Sequence, residues 1–295
     1  MNTDPDWGLY RSFLAVVEEG SLSGAARRLG LTQPTVARHV DALEQALGGD
    51  LFLRSQRGLI PSEMAVDLRP YAEQLALTAA ALLRTAGGRH GEVRGSVRVS
   101  ASEMVGAAHL PPILAGLRQR HPGLVIELAL SNAVHDLLRR EADIAVRMVE
   151  PTQDALVARR LPPIEIGLHA HRAYLDRRGT PASVADLAGH DLIGFDCETP
   201  PLRAFVARFP SLGRSALALR TDSDVAQFAA MRGGFGIGMC QVVLARRDPD
   251  LVRVLADTVC IELGLWIVMH EDLKTSARCR AVFDAMAAGL ASLRQ

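Results

Sequence analysis

Five polar side chains lie within eight residues of one another in the segment TQPTVARH (32–39). An amide such as that of Gln33 can form two hydrogen bonds with the edge of an adenine, and a guanidinium such as that of Arg38 can bond a guanine or a phosphate. The hydroxyls of Thr32 and Thr35, at a helix N-terminus, can bind a phosphate together with free backbone amides. The segment therefore has the groups needed to read DNA, although solvated helix faces of this composition are also common.

Two predicted helices joined by a tight turn must position these groups. Ser21 or Ser23 could cap the first helix, whose apolar residues recur at helical spacing. For the second helix, Thr32 is a natural N-cap, Pro34 is compatible with the first turn and Gly48 is a natural C-cap. Such a pair is a helix-turn-helix, whose second helix enters the major groove.

A small hairpin is predicted next, because the residues of LFLRSQRGLI (51–60) alternate in character about a glycine turn. It would form a wing, with its arginines directed at the DNA backbone or the minor groove. Residues 1–90 hold nine arginines against ten acidic residues, and residues 27–62 hold five against three. Because this local excess is small, affinity should depend on dimerisation. The candidate DNA-binding residues are Ser23, Thr32, Gln33, Pro34, Thr35, Arg38, His39, Arg54 and Arg57.

A long helix is predicted from Ser62 to about Ala86, and Pro70 should kink or restart it. Its apolar stripe could pack on its own domain or pair with a second subunit. We favour pairing, because a helix that joins two domains has few partners within its own chain. The segment TAGGRHGEVRG (85–95) then predicts a hinge. The stripe follows a near-heptad spacing and consists of Leu68, Tyr71, Leu75, Ala79 and Leu82.

Beyond residue 95, strands and helices alternate, which predicts a mostly parallel sheet with ligands bound at the carboxyl ends of strands. The predicted helices are AAHLPPILAGLRQRHP (107–122), HDLLRRE (135–141), DVAQFAAMRGG (224–234) and a closing helix over about 275–292. The predicted strands are VRVSA (97–101), LVIELAL (124–130), DIAVRM (143–148), IEIGLHAH (164–171), DLIGF (191–195), ALALR (216–220), IGMCQVVLA (237–245) and LGLWIVMH (263–270).

The composition limits the class of protein. The 295 residues suffice for two domains or three small ones, and the formal net charge of zero points to no particular partner. The four cysteines form no CxxC pair, which is typical of a reduced chain. The first ten residues lack the pattern of a secretory signal, and no run approaches the roughly 18 apolar residues of a membrane span. We therefore expect a soluble cytoplasmic protein with no membrane partner.

Several candidate reactive sites are set aside. GGFGIG (233–238) follows a predicted helix and precedes a strand, the reverse of a phosphate-binding glycine loop. His169 and His171 alternate on a predicted strand without partner ligands, so no metal site is expected. Cys197 and Cys240 could form a redox switch, but we expect buried, inert thiols. With no nucleophile motif, we expect no catalytic residues, no cofactor and no enzymatic activity.

The segment FLAVVEEGSLSGAARRLGLTQPTVARHVDALEQALGGDLFLRSQRGLIPS (13–62) resembles the winged helix-turn-helix of LysR-type transcriptional regulators. RGGFGIGM (232–239) and LWIVMHEDLKTSARCRAVFD (265–284) resemble late segments of the family's effector domain, so the likeness spans the whole chain. Departures are small: Thr32 and Ala37 stand where Ser is usual, and Ala65 stands where Gly is usual.

The resemblance implies an α + α/β protein that binds double-stranded promoter DNA as a homodimer or homotetramer, with RNA polymerase as a further partner. It implies a winged helix-turn-helix domain over 1–61, a linker and dimerisation helix with a hinge over 62–92, and an effector-binding domain over 93–295. The effector domain would resemble periplasmic binding proteins, with lobe I at 93–161 plus 267–295 and lobe II at 162–266. A small molecule between the lobes would change their angle and the spacing of the DNA-binding domains.

The effector is expected at the carboxyl end of the first strand of this domain. The family's ligand-contacting hydroxyl falls at Ser102, and Ser223 with the following amides could hold an anion. Arg147 would favour a carboxylate such as an amino or aromatic acid. Alternatively, the hydroxyls only cap helices and Arg147 pairs with an acid of its own lobe. The effector-binding candidates are Ser102, Glu103, Ser131, Asn132, Arg147, Phe195 and Ser223. The alternative function is a cytoplasmic small-molecule-binding protein or enzyme on the same two-lobed fold.

Overall fold

The computed structural model describes residues 4–55, 58–86, 92–132, 142–151 and 156–294. These residues form two compact units, one ending at Ala86 and the other containing the described residues from Glu92 onward. The first unit comprises α1 (Trp7–Glu19), α2 (Leu22–Leu29), α3 (Gln33–Leu47), β1 (Phe52–Ser55), β2 (Gly58–Pro61) and α4 (Glu63–Ala86).

Local capping signals define the first three helices. Ser21 caps α2 by accepting a hydrogen bond from Gly24 N, and Thr32 caps α3 by accepting one from Thr35 N. Gly30 ends α2 with a left-handed φ of 66°, a conformation that a side chain would strain, and so makes the tight turn into α3. The helices enclose a core that contains Phe13 and Leu43, both fully buried. The predicted helix-turn-helix is confirmed.

The predicted hairpin and long helix follow. β1 and β2 pair antiparallel, with Phe52 opposite Pro61. The long helix runs unbroken over Glu63–Ala86 with Pro70 inside it, so the restart predicted at this residue is wrong. A proline removes only one backbone hydrogen bond, and burial of Ala65 and Ala72 against the domain core holds the first half of the helix in place.

The second unit contains one nine-stranded sheet in the order β4-β3-β5-β11-β6-β9-β7-β8, with β10 paired to β6. Its strands are β3 (Gly95–Ala101), β4 (Leu124–Leu130), β5 (Ile144–Arg147), β6 (Leu156–His171), β7 (Leu192–Gly194), β8 (Leu217–Arg220), β9 (Ile237–Gln241), β10 (Leu251–Val254) and β11 (Cys260–His270). Its helices are α5 (Glu103–Ala108), α6 (Leu110–Arg120), α7 (Arg172–Arg178), α8 (Pro200–Arg208), α9 (Asp224–Arg232), α10 (Val242–Ala245) and α11 (Ala277–Ala291).

The prediction of a mostly parallel sheet is wrong. The two ends of the sheet are parallel, where β3 pairs with β4 and β5, and where β7 pairs with β8 and β9. The centre is antiparallel, because the long strands β6 and β11 pair with each other and with their neighbours in opposite directions. These two strands carry the chain from one half of the sheet to the other.

Two hydrophobic cores mark the two lobes. Leu161 and Leu265 belong to the core of the first lobe, which α11 also covers. Leu168, further along β6, belongs to a core of the second lobe together with Tyr174. β6 therefore contributes to both cores, with Ile164 in the first and Leu168 in the second. The crossings at Pro162 and Trp266 stay predictions.

Four predicted strands are shorter in the structure, among them the runs 237–245 and 191–195. The run 237–245 is a strand only to Gln241, after which Val242–Ala245 form α10, because a short apolar run has no periodicity that separates strand from buried helix. β7 ends at Gly194, so Phe195 follows the strand. The predicted helix 135–141 and residues 87–91 of the predicted hinge lie outside the described residues. Among the described residues, no helix has the length and apolar character needed to cross a membrane.

Candidate functional sites

The N-terminus of α3 presents a polar surface. Thr32, Gln33, Pro34 and Arg38 are exposed. The hydroxyls of Thr32 and Thr35 lie 2.8 Å apart, and Thr32 Oγ1 also accepts a bond from Thr35 N at 3.4 Å. The cap is thus complete, and the positive end of the helix faces outward beside side chains that can donate hydrogen bonds.

Gln33 is oriented by a residue of the preceding helix. Ser23 Oγ donates a hydrogen bond of 3.0 Å to Gln33 Oε1, and both residues are exposed. Of the two candidate caps for α2, Ser21 fills that role, which leaves Ser23 for this contact. The bond links α2 to α3 and reduces the number of rotamers that Gln33 must give up when it binds a partner.

The placement of His39 on the exposed ridge is wrong. Its Nδ1 lies 2.7 Å from the hydroxyl of Ser12, which is fully buried on α1. His39 lies beside Val40, part of the buried stripe of α3, so its ring is half-buried against α1. This residue supports the helix packing instead of extending the polar surface.

The excess of positive charge near this surface is small. Arg38 is exposed and has no carboxylate partner among the described residues. Arg28, in contrast, forms ion pairs with Glu18 and Glu19 of α1. Arg54 lies on β1 opposite Leu59, but its side chain, like the whole of Arg57, is outside the described part of the chain.

The apolar stripe of α4 is packed at Leu68 and exposed at three later positions. Leu68 packs against the core of its own domain. Tyr71, Leu75 and Leu82 remain exposed by 72%, 45% and 67%. At about 100° per residue these three side chains fall within about 40° of one another around the helix. Leu68 lies only about 20° from Leu75 by the same measure. The stripe is therefore packed against its own domain near the start of the helix and remains open to a partner further along.

The predicted effector residues meet where the two lobes face each other. Glu103 N donates to Asn132 Oδ1 at 3.0 Å, and Asn132 Nδ2 donates to Asp224 Oδ2 at 3.0 Å. Ser223 Oγ donates to Glu103 Oε2 at 2.9 Å. Because Glu103 and Asn132 belong to the first lobe and the other two residues to the second, this chain of bonds crosses the cleft. We call these four residues the cross-lobe network.

The network changes the expected chemistry of Ser223. Its hydroxyl donates to a carboxylate and accepts from Ala226 N at 3.3 Å, so it is not free to hold an anion as predicted. Burial raises the pKa of Asp224, and the nearby Glu103 raises it further. Glu103 and Asp224 place two carboxyl groups at the rim of the cleft. Asp224 itself was missed, because an acidic residue in the first turn of a helix is common for reasons of the helix dipole alone.

Ser102 occupies the predicted place immediately after β3. Its hydroxyl oxygen is buried and has no hydrogen-bond partner among the described residues, and it does not cap α5. A buried hydroxyl without a partner is costly, so a ligand atom that bonds it would be favoured. Ser131 adjoins this position, with its backbone N bonded to Ala101 O at 2.9 Å.

Arg147 and Phe195 do not belong to the cross-lobe network. Arg147 is only 5% exposed, and its guanidinium donates to Ser100 Oγ at 2.6 Å and to Val146 O at 3.0 Å. It is therefore buried within the first lobe, as the prediction of a buried arginine requires, and its role toward a carboxylate ligand stays a prediction. Phe195 lines a separate cavity within the second lobe.

The cysteines and histidines set aside above differ in exposure. Cys240 is buried, which raises its thiol pKa to about 12, and burial lowers the pKa of His169 to about 4. Cys197 is exposed, which contradicts the expectation of a buried thiol, although its bond with Asp222 raises its pKa. Within the described ranges, no cluster of three or more His, Cys, Asp or Glu residues could hold a metal ion.

A helix-turn-helix unit followed by a two-lobed unit, with polar residues of both lobes bonded to each other, defines the class of a ligand-responsive regulator. The family of bacterial regulatory helix-turn-helix proteins of the lysR type matches residues 7–65, and the LysR substrate binding domain matches residues 90–291. The chain belongs to the LysR family of ligand-responsive transcriptional regulators.

Individual relatives agree with this assignment. The probable HTH-type transcriptional regulator LtrA of Klebsiella pneumoniae is 29% identical over 297 residues, which span 96% of this chain and 94% of LtrA. The structure of CrgA, a LysR-type regulator from Neisseria meningitidis, is 26% identical with a TM-score of 0.58, covering 96% of this chain and 98% of CrgA. The virulence activator AphB of Vibrio cholerae shares the fold at 21% identity and a TM-score of 0.63, covering 96% of this chain and 99% of AphB.

Proposed function

We propose that the protein binds operator DNA through the N-terminus of α3 and that a small molecule in the effector unit changes this binding. The contact between Ser23 and Gln33 carries the proposal, because it orients an exposed amide at a helix N-terminus. Gln33 would read an adenine, Arg38 a guanine or phosphate, and the two threonines a phosphate. Arg54 and Arg57 of the wing would bind the DNA backbone.

We infer that two copies associate through α4. The exposed residues Tyr71, Leu75 and Leu82 would form the seam, since an apolar stripe of this kind on a monomer marks an interaction surface. The corresponding segments are 1–61 for DNA binding, 62–92 for dimerisation and the hinge, and 93–295 for the effector. A dimer, or a dimer of dimers, would place two copies of α3 on two half-sites and compensate for the modest local charge.

The effector would bind at the cross-lobe network and bond the unpartnered hydroxyl of Ser102. Of the two ligand classes expected, an amino acid fits the rim better than an aromatic acid. Its ammonium group could bind Glu103 and Asp224, whereas an acid lacking a cation would face these like charges. Displacement of the bonds from Ser223 and Asn132 would then free the lobes to change their angle.

The cellular setting follows from this proposal. A regulator of this kind would act in the cytoplasm, where it meets promoter DNA and RNA polymerase. The relatives described above are transcriptional regulators, which supports a role without catalysis.

The experiment that tests the proposal compares two glutamines on the same helix. Duplexes are first selected from a random DNA library with the wild-type protein, and affinity is then measured by mobility shift at fixed salt. Gln33→Ala should weaken binding by about 1–3 kcal/mol and relax the base preference at one position. Gln45→Ala, at an exposed residue near the opposite end of α3, should leave affinity unchanged. Equal affinities for both variants would exclude the proposed orientation of α3.

A further inference from the structure

A cavity of about 400 Å³ lies within the second lobe, apart from the cross-lobe network. One wall is the sheet and the other is α8, and most of the lining is apolar. The side chains that form these two walls include Leu168, Leu192, Ile237, Leu202, Phe205 and Val206.

The cavity exists because α8 covers the sheet incompletely. The sheet residues Leu168 and Leu192 are almost fully buried, whereas Leu202, Phe205 and Val206 of α8 are only half-buried. Apolar side chains that border an unfilled space lack contact partners on that side, so a molecule that fills the space gains dispersion energy and removes apolar surface from water. The volume lies in the range of about 300–1,000 Å³ found for small-molecule sites.

Two arginines at the mouth of the cavity differ in whether a carboxylate partner neutralises them. Arg214 is neutralised by Asp196, since its guanidinium donates to Asp196 Oδ1 at 2.7 Å. Arg203 donates only a long bond of 3.4 Å to the backbone oxygen of Glu198 and has no carboxylate partner in the described ranges. Its planar fork of donors matches a carboxylate or sulfonate group.

We propose that this cavity is a second small-molecule site, which takes an apolar acid with an aromatic or branched hydrocarbon body and one anionic group. The body occupies the space under α8, and Arg203 holds the anion at the mouth. The site is distinct from the effector site proposed above, because no residue of the cross-lobe network lines the cavity. Of the predicted effector residues, Phe195 alone lines it.

The cavity is physically connected to the cross-lobe network. Gln227 lines the cavity and is almost fully buried, and its Nε2 donates to Thr221 O at 2.9 Å. Thr221 Oγ1 in turn accepts a bond from Ser223 N at 3.3 Å. A molecule that moves Gln227 therefore acts on the start of α9, where Ser223 and Asp224 meet the first lobe.

The test uses two fluorescent probes with the full-length protein. 1-Anilinonaphthalene-8-sulfonate is an apolar acid, and N-phenyl-1-naphthylamine has the same rings without the charge. Val206→Trp fills the cavity and should lower the affinity for both probes by at least tenfold. Ala204→Trp adds the same side chain at an exposed position of α8 that does not line the cavity, and should leave both affinities within twofold. Leu202→Trp is a second filling variant, used where thermal unfolding shows that Val206→Trp is not folded.

The charge is tested separately. Arg203→Gln should lower the affinity for the sulfonate probe about tenfold and leave the affinity for the neutral probe within twofold of the wild-type value. Equal binding by the filling variants and Ala204→Trp would overturn the site. Equal losses for the two probes in Arg203→Gln would overturn the assignment of an acidic ligand.

Discussion

Replacement of Leu82 by glutamate is expected to separate the subunits. Leu82 is 67% exposed on α4, so about two-thirds of its apolar surface remains for a partner to cover. Full burial of a leucine is worth about 1.5–3 kcal/mol, which leaves about 1–2 kcal/mol for this side chain. A two-fold symmetric dimer contains the residue twice, so the loss is about 2–4 kcal/mol, or roughly a 30- to 700-fold weaker dimer.

Sedimentation velocity over a range of protein concentrations measures this shift. Val66→Glu is the matched control, because Val66 is 60% exposed on the same helix and lies about half a turn away from the proposed seam. The control should dimerise as the wild type does. A Leu82→Glu protein with an unchanged dissociation constant would refute the assignment of this face as the subunit interface.

Two further predictions concern the effector unit. His169 is buried and neutral with a pKa lowered to about 4 from 6.5, so the unfolded state takes up a proton first as the pH falls. This group should therefore remove about 3 kcal/mol of the free energy of unfolding between pH 7 and pH 4. In urea titrations His169→Asn should lack that loss, whereas a control His171→Asn should retain it; identical pH dependence in both variants would contradict the buried neutral state. An amino acid ligand is first found by thermal-shift screening. Ser102→Ala should then lower the affinity for this ligand by about 10- to 150-fold, because a hydrogen bond to a charged ligand is lost. Operator affinity without ligand should stay the same, and an unchanged ligand affinity would remove Ser102 from the site.

The elements of the first unit could be predicted because their signals are local. Ser21, Thr32 and Gly30 each act within a few residues of their place in the sequence, through a cap bond or a left-handed turn. The partner of His39, in contrast, is Ser12, which lies 27 positions away. A single residue's surroundings are decided by packing between helices, and the sequence pattern of one helix does not contain that information.

The sheet of the second unit shows the same limit. β6 extends from Leu156 to His171 through Pro162 and Pro163, residues that normally argue against a strand interior. Its antiparallel pairing with β11 joins segments about a hundred residues apart, so only its second half was predicted as a strand. The resemblance to LysR-type regulators predicted the two lobes, which periodicity alone could not predict.

The sequence predicted which residues of the candidate effector site come together, but it did not predict the contacts they make. Ser102, Glu103, Asn132 and Ser223 do come together, as expected for residues at strand ends and helix starts. The two carboxyl groups of the rim, Glu103 and Asp224, come from different lobes, and Ser223 bonds Glu103 across 120 positions of the sequence. Long-range contacts of this kind decide which ligand charge a cleft accepts.

Hydroxyl-radical footprinting of the wild-type protein on a duplex selected from a random library tests the central claim most directly. Two copies of α3 held by the α4 seam should protect two half-sites whose centres are separated by about 10–10.5 base pairs or a multiple of that spacing. Protection of a single half-site at saturating protein, or no protection at all, would contradict the claim that the protein reads DNA as a dimer through α3.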